Sequence, residues 1–391
     1  MLILNGTVFV NGRFEKKDIR ITDGKFAEIA EPGEFGTYKD SKMAECEKSG
    51  RKKAILDATG KYILPGLVDV HTHGREGSDF SRIMEEDLKK LLFSYAECGV
   101  TSVLGTTMTN EPSGVEQSIR VMGEYIEKQK QGKTSALAAK LLGIHMEGPF
   151  LGTEKKGAHD AQYLRKPDWD WFEKVQNLSG GNVRLVTIDP CLDGAEGFIK
   201  KCRESDIKVS LGHTTCGYET AVKARQAGAD HVTHLFNAMN PLHHREPGLI
   251  GAAIDTGMYT ELICDGMHVH PAVVRMMFTA HPNKVVLISD SIPSAGMRDG
   301  VYESGGLQVT VTNGKAVLAD STIAGSSISL YDAMVNAITF GVAAEQAVNS
   351  VTYLPAKSIG MEETVGSIAV GRTADFLVVN QDWTLENVYL N

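Results

Sequence analysis

Six residues able to hold a metal ion or carry a proton are spread along the chain, each beside an apolar run: His71, His73, Glu147, His213, His234 and Asp290. His71-Thr72-His73 closes the run Ile63–Val70, and Glu147 follows Leu141–Ile144. His213 follows Val209–Leu211, His234 follows Val232, and Asp290 ends Val285–Ser289. These separations are far too long for a zinc finger, so the set makes sense only if a fold gathers it. Parallel strands of a (β/α)8 barrel do so, because their ends converge on one rim. His71 and His73 are two apart, so on a strand they face the same side and can reach one cation. Two imidazoles and a carboxylate around an ion, with water in the fourth position, make an open catalytic site. A structural site would be closed and would usually use thiolates, and the cysteines here lack that spacing. Asp290 could be a weak ligand, or the base that takes a proton from water and hands it to a leaving group. The plainer role open to it is a helix N-cap.

Other residues extend the pattern. Gly148-Pro149 ends the third run abruptly and permits close backbone approach. His145, two residues before Glu147, is expected to support the site from behind. Around the presumed mouth stand Ala158-His159, Asn237-Ala238, His243-His244-Arg245 and Asp265-Gly266-Met267-His268. Arg245 offers a planar fork of donors suited to phosphate or carboxylate, the alternative being an ordinary surface ion pair. Gly132-Lys133-Thr134 resembles the end of a phosphate loop, but Glu127 stands where the first glycine should be. The chain has no H-E-x-x-H, G-x-S-x-G or G-x-G-x-x-G, so serine-hydrolase and dinucleotide-enzyme readings lose support.

The elements that must position these residues follow from hydrophobic pattern. Strand-like runs occur at Gly66–Val70, Thr101–Leu104, Leu141–Ile144, Arg184–Ile188, Lys208–Leu211, His231–Thr233, Glu261–Cys264 and Lys284–Ile288. Between them lie helical stretches such as Glu85–Glu97, Glu116–Lys130, Ala195–Ser205, Tyr218–Ala227 and Pro271–Ala280. Leu88, Leu91, Leu92 and Tyr95 keep the helical i, i+3, i+4, i+7 spacing. Strands alternating with helices imply parallel βαβ units. The expected fold is α/β, a (β/α)8 TIM-like barrel over residues 59–360. Residues 1–58 and 361–391 are expected to meet in one small β-sandwich. In the first part Leu2–Val10 ends at Asn11-Gly12, and Asp18–Thr22 and Phe26–Ile29 flank Asp23-Gly24, both hairpin dipeptides. Gly33–Lys53 reads as a polar, exposed excursion before the run Ala54–Leu56. After the eighth barrel strand, Leu307–Thr312 and Ala316–Leu318 flank Asn313-Gly314, a hairpin expected to stand over the barrel mouth.

Composition narrows the partners. With 391 residues, 42% hydrophobic and 23% charged, the chain suits one large domain with a small one. A net charge of −9 without a long basic run argues against nucleic acid or an anionic membrane. The N-terminus does not read as a signal peptide, and no apolar run is long enough for a membrane span. Six scattered cysteines without a C-x-x-C pair suit a reducing compartment, which points to the cytoplasm.

The chain resembles the amidohydrolase superfamily and, within it, the family of N-acetylglucosamine-6-phosphate deacetylases. The segments PGLVDVHTHG, HMEGPF, GAHD, LGHTT, THLFNAMNPLHHREPG, DGMHVHP, SDSIPSAG and STIAGSS carry the likeness, in order and over nearly the whole length. The resemblance implies that Glu147, His213 and His234 bind the principal metal and that Asp290 is the catalytic acid/base. It implies a substrate pocket lined by Ala158, His159, Asn237, Ala238, Arg245, Asp265, His268, Ile323, Ala324 and Gly325. Some members replace the first-strand histidines; His71 and His73 are kept here, so one or two ions per subunit are implied, with Glu147 bridging a pair. Related dihydroorotases and hydantoinases bridge their metals with a carboxylated lysine, but Thr187-Ile188-Asp189-Pro190 offers none. His and carboxylate ligands accept Zn, Fe, Mn or Co. The implied substrate is a small amino-sugar phosphate, and the implied assembly is a homodimer. The alternatives are another specificity, for the galactosamine epimer or an N-acyl amino acid, and a non-catalytic barrel scaffold.

Overall fold

The computed structural model describes residues 1–35 and 55–391, so most of the expected excursion Gly33–Lys53, and Ala54 after it, lies outside the described residues. Eight parallel strands stand side by side in chain order: Leu67–Thr72, Val100–Thr107, Lys140–Glu147, Val183–Ile188, Lys208–Leu211, His231–Val232, Tyr259–Ile263 and Val285–Ile288. Each coincides with an apolar run read from the sequence. The barrel closes just beyond the last strand, where the Asp290 N–H donates to the His71 carbonyl at 3.0 Å and the His73 N–H to the Ser291 carbonyl at 2.8 Å. The Ser289 hydroxyl adds a bond of 2.5 Å to the buried carboxylate of Asp69, tying the eighth strand to the first.

Helices pack outside, as periodicity required. Leu88, Leu91, Leu92 and Tyr95 of the helix Glu85–Glu97 are all buried. The next helix begins at Pro112 rather than Glu116, with the Glu111 carboxylate accepting the Gly114 N–H. Proline is well tolerated there, because the first turn needs no N–H from it.

Both chain ends build one seven-stranded sheet with a hydrophobic core of its own, containing Ile3, Val8, Ile19, Phe26, Ile63 and Phe376. Lys61–Pro65 belongs to it, pairing parallel with Leu2–Val10 and antiparallel with Phe376–Asn380, so the expected boundary at 58/59 falls early. From Ile63 to Val70 the pattern is apolar but for Asp69, and Pro65-Gly66 marks the passage from one sheet to the other. The dipeptides Asn11-Gly12, Asp23-Gly24 and Asn313-Gly314 all take positive φ, between 50° and 78°, the backbone of a tight hairpin turn.

Gly66 also packs against Thr101 of the second barrel strand. A Cβ added there would lie 2.0 Å from Thr101 Oγ1. Gly66→Ala is therefore expected to cost about 1–3 kcal/mol by overpacking, read as a lower urea midpoint at unchanged slope. An unchanged midpoint would mean that Thr101 rotates away freely.

Candidate active site

Glu147 is the last residue of the third strand, and five other polar residues gather around it from other strand ends. His213, His234 and Asp290 each lie two residues past Leu211, Val232 and Ile288, the ends of their strands. All three adopt positive φ, 49°, 28° and 47°. Such backbone costs a non-glycine residue on the order of 1–3 kcal/mol and clusters at functional sites. His and Asp tolerate it better than β-branched residues do.

Glu147 Oε1 lies 3.1 Å from His213 Nε2, 3.0 Å from His234 Nε2 and 3.5 Å from His71 Nε2. Its other oxygen lies 3.2 Å from both His73 Nε2 and His159 Nε2. Asp290 Oδ1 completes the ring, 3.1 Å from His73 Nε2 and 3.5 Å from His71 Nε2. All these side chains are nearly or fully buried.

The far nitrogen of each ring fixes what its near nitrogen can do. His213 Nδ1 donates to the Lys155 carbonyl at 2.8 Å, so in the neutral ring Nε2 is a bare lone pair. That lone pair points at His234 Nε2, 3.0 Å away, an arrangement that a shared proton or cation relieves. His159 is the opposite case. Its Nδ1 accepts the Thr109 N–H at 3.1 Å, and burial lowers its pKa to about 4, so the neutral ring carries its hydrogen on Nε2. His159 therefore faces Glu147 as a donor. His145 donates from Nδ1 to the Val70 carbonyl and accepts from the Thr187 hydroxyl, so both its nitrogens are engaged away from Glu147.

Charge points the same way. Burial opposes protonation of His71, but Glu147, Glu261 and Asp290 outweigh it and hold the ring well above its ordinary pKa. Burial likewise opposes a charge on His73, while Asp290 and Glu147 raise it to about 9. For Asp290, burial favours the neutral acid, yet the charges of His71 and His73 bring it down to about 2, so it is ionised at neutral pH. None of these carboxylates has a lysine or arginine partner among the described residues. The cluster demands positive charge, and imidazolium supplies it where a cation would. Two triads, His71 with His73 and Glu147, and Glu147 with His159 and His213, each bring three ligand atoms within 4.8 Å of one another. A tetrahedral ion with bonds of about 2.0–2.1 Å spaces its ligands about 3.3 Å apart. The donor set thus suits a divalent metal.

The cluster forms the floor of a cavity of about 510 Å³. Ala158, His159, Asn237, Ala238, His268, Ile323, Ala324 and Gly325 line it with Lys155 and Lys156. The hairpin expected over the mouth supplies Val309 to its wall. Asp265 does not line it: its carboxylate is fully buried behind His268, 2.7 Å from Nδ1, and also accepts the Met267 and His268 N–H groups at 2.8 Å. Arg245 does not line it either. It lines a separate cavity with Cys216, Tyr218, Asn240 and His243, and its Nη1 lies 2.7 Å from His244 Nε2. Sequence reasoning missed Glu261, whose Oε2 is 2.8 Å from His71 Nδ1. It also missed Lys155 and Lys156, for which two adjacent cations just before Gly157-Ala158-His159 were the available signal.

Known proteins bear on this site. The amidohydrolase family matches residues 62–390. An N-acetylglucosamine-6-phosphate deacetylase of Bacillus subtilis is 36% identical over 367 residues, covering 93% of this chain and 89% of that one. An N-acetylgalactosamine-6-phosphate deacetylase of Escherichia coli O157:H7 is 30% identical over 339 residues, covering 86% and 88%. The crystal structure of N-acetylglucosamine-6-phosphate deacetylase from Pasteurella multocida superimposes with a TM-score of 0.88 at 26% identity, over 100% of this chain and 97% of the other.

Proposed function

The chain belongs to the amidohydrolase family, and on that premise we propose that it hydrolyses N-acetyl-D-glucosamine 6-phosphate to D-glucosamine 6-phosphate and acetate. The observation that carries this reading is the gathering of five imidazoles around the two Glu147 oxygens, with the neutral His159 ring presenting its N–H at the cavity floor. Glu147, His213 and His234 would hold the principal ion, and His71 and His73 a second one with Glu147 between the two. When bound, a divalent ion supplies Lewis acidity, making water a better nucleophile at neutral pH and polarising the amide carbonyl.

The chain's own residues do the rest. Asp290, ionised at neutral pH, takes the proton of the attacking water at its carboxylate. His159 Nε2–H donates to the carbonyl oxygen as negative charge develops there. Asp290 then returns its proton to the departing amine, so the C–N bond breaks to give acetate and the free amino sugar. His268, held by Asp265, together with Asn237, Ala238 and Ile323–Gly325, positions the sugar. The family resemblance gives the phosphate to Arg245, whose guanidinium lies against His244 outside this cavity and would have to turn toward the sugar to reach it.

The assignment is tested by acetate release from the 6-phosphates of N-acetylglucosamine and N-acetylgalactosamine and from unphosphorylated N-acetylglucosamine, with metal content measured on the same sample. A metal-loaded protein that releases no acetate from any of the three would overturn it, and faster turnover of the galactosamine epimer would reassign the sugar. Arg245→Ala tests the phosphate contact. A charge-assisted bond contributes about 1.5–3 kcal/mol, so kcat/KM should fall roughly ten- to a hundredfold on the phosphorylated sugar and little on the free one. Equal losses on both would make the arginine a support of its loop.

We also propose a cytoplasmic location, which the free state of the described cysteines supports. Its partner is a small molecule rather than nucleic acid or membrane, in keeping with the net charge of −9. A homodimer rests on the family resemblance.

A further inference from the structure

We infer that Glu261 is a positioning residue that makes His71 a metal ligand, and so decides whether this site holds a second ion. The inference rests on the metal-dependent reading above. Glu261 lies on the seventh strand with its side chain fully buried, and among the described residues its one ion-pair partner is His71, whose Nδ1 is 2.8 Å from Oε2. Its other oxygen, Oε1, has no partner at all. An isolated buried carboxylate is strongly unfavourable, so what Glu261 does for His71 must offset that cost.

A carboxylate behind an imidazole fixes the ring's hydrogen on the near nitrogen and makes the far one a stronger ligand. The far nitrogen of His71 faces Glu147, Asp290 and His73, within 3.5 Å of each. The other rings are backed differently. His213 has only the neutral Lys155 carbonyl behind it, and His73 Nδ1 and His234 Nδ1 have nothing. Glu261 should therefore strengthen the position built from His71 and His73 and leave the one built from His213 and His234 alone. It also touches the other side of the site, since its Oε2 is 3.4 Å from the His234 N–H and its carbonyl accepts from the Leu235 N–H at 2.8 Å. A merely structural role would thus disturb both positions together.

The test strips the full-length protein of metal and titrates it with zinc, with elemental analysis after desalting. The unaltered protein is expected to take two zinc ions per subunit. Glu261→Gln keeps an oxygen for the His71 N–H without the charge and should weaken the second ion about tenfold; Glu261→Leu removes the acceptor and should weaken it about a hundredfold. The first ion should bind unchanged in both. Parallel weakening of both ions, no weakening of either, or a single ion in the unaltered protein would each overturn the inference. Should the leucine variant fail to fold, the glutamine variant carries the same outcomes. Acetate release is not the readout, so failure of the deacetylase assignment and failure of this inference are distinguishable.

Discussion

Asp290→Asn is expected to lower kcat by about 10²–10⁴-fold, the usual worth of general acid–base assistance, while metal content and substrate binding change little. The main chain at this position is held independently of the side chain: its N–H donates to the His71 carbonyl at 3.0 Å, and its carbonyl accepts from the Ser326 N–H at 2.8 Å. An asparagine would keep that backbone and the side chain's volume. What it loses is the carboxylate, which the surrounding imidazoles hold ionised down to about pH 2. An amide takes no proton from water and gives none to the amine, so both halves of the reaction suffer. Metal and turnover, assayed together on the purified variant, decide the matter. Loss of the metal would make Asp290 chiefly a ligand. Full turnover would move the base elsewhere, and His159 would be the next residue to change.

The strand ends that carry His213, His234 and Asp290 were legible because the barrel strands are mostly apolar along their buried length and these polar residues follow where each run stops. Val209–Leu211 before His213 and Val285–Ile288 before Asp290 show that rule in the sequence. The hairpins were legible for a similar reason, since Asn-Gly and Asp-Gly are among the few dipeptides that accept the positive φ such turns need. Glu261 was not legible. Read locally, it is a polar residue opening the run Glu261–Cys264, and its partner His71 is 190 residues away in the chain. Asp265 was read as lining the pocket, as its neighbour His268 does, but its carboxylate is taken up by two N–H groups and the His268 ring. Arg245 sits in a segment whose residue types suit an anion, yet no periodicity fixes the direction of an irregular loop, and its guanidinium turns toward His244. The early domain boundary has the same origin: a pattern reports burial, and Lys61–Pro65 and Leu67–Thr72 are buried in different sheets.

Glu147→Gln should have the larger effect, loss of both metal and activity. Every imidazole of the cluster that faces the cavity floor lies within 3.5 Å of one of its two oxygens, and Oε1 stands between His71 on one side and His213 and His234 on the other. The charges of His71 and its neighbours overcome burial and hold the Glu147 carboxyl well below the ordinary range, so it is an anion throughout the working pH range. Glutamine has the same shape, but its amide is a poor ligand and brings no charge. Its NH₂ group would also present hydrogens to nitrogens that need a cation. Removing an outer partner of a ligand costs about 10–100-fold in metal affinity, and removing a ligand shared between two ion positions should cost more than that at both. The variant should therefore purify with little metal and stay inactive when zinc is restored at levels that reactivate the stripped parent protein. Full occupancy with near-normal turnover would remove Glu147 from the centre of the site, and the reading of the five imidazoles around it would fall as well.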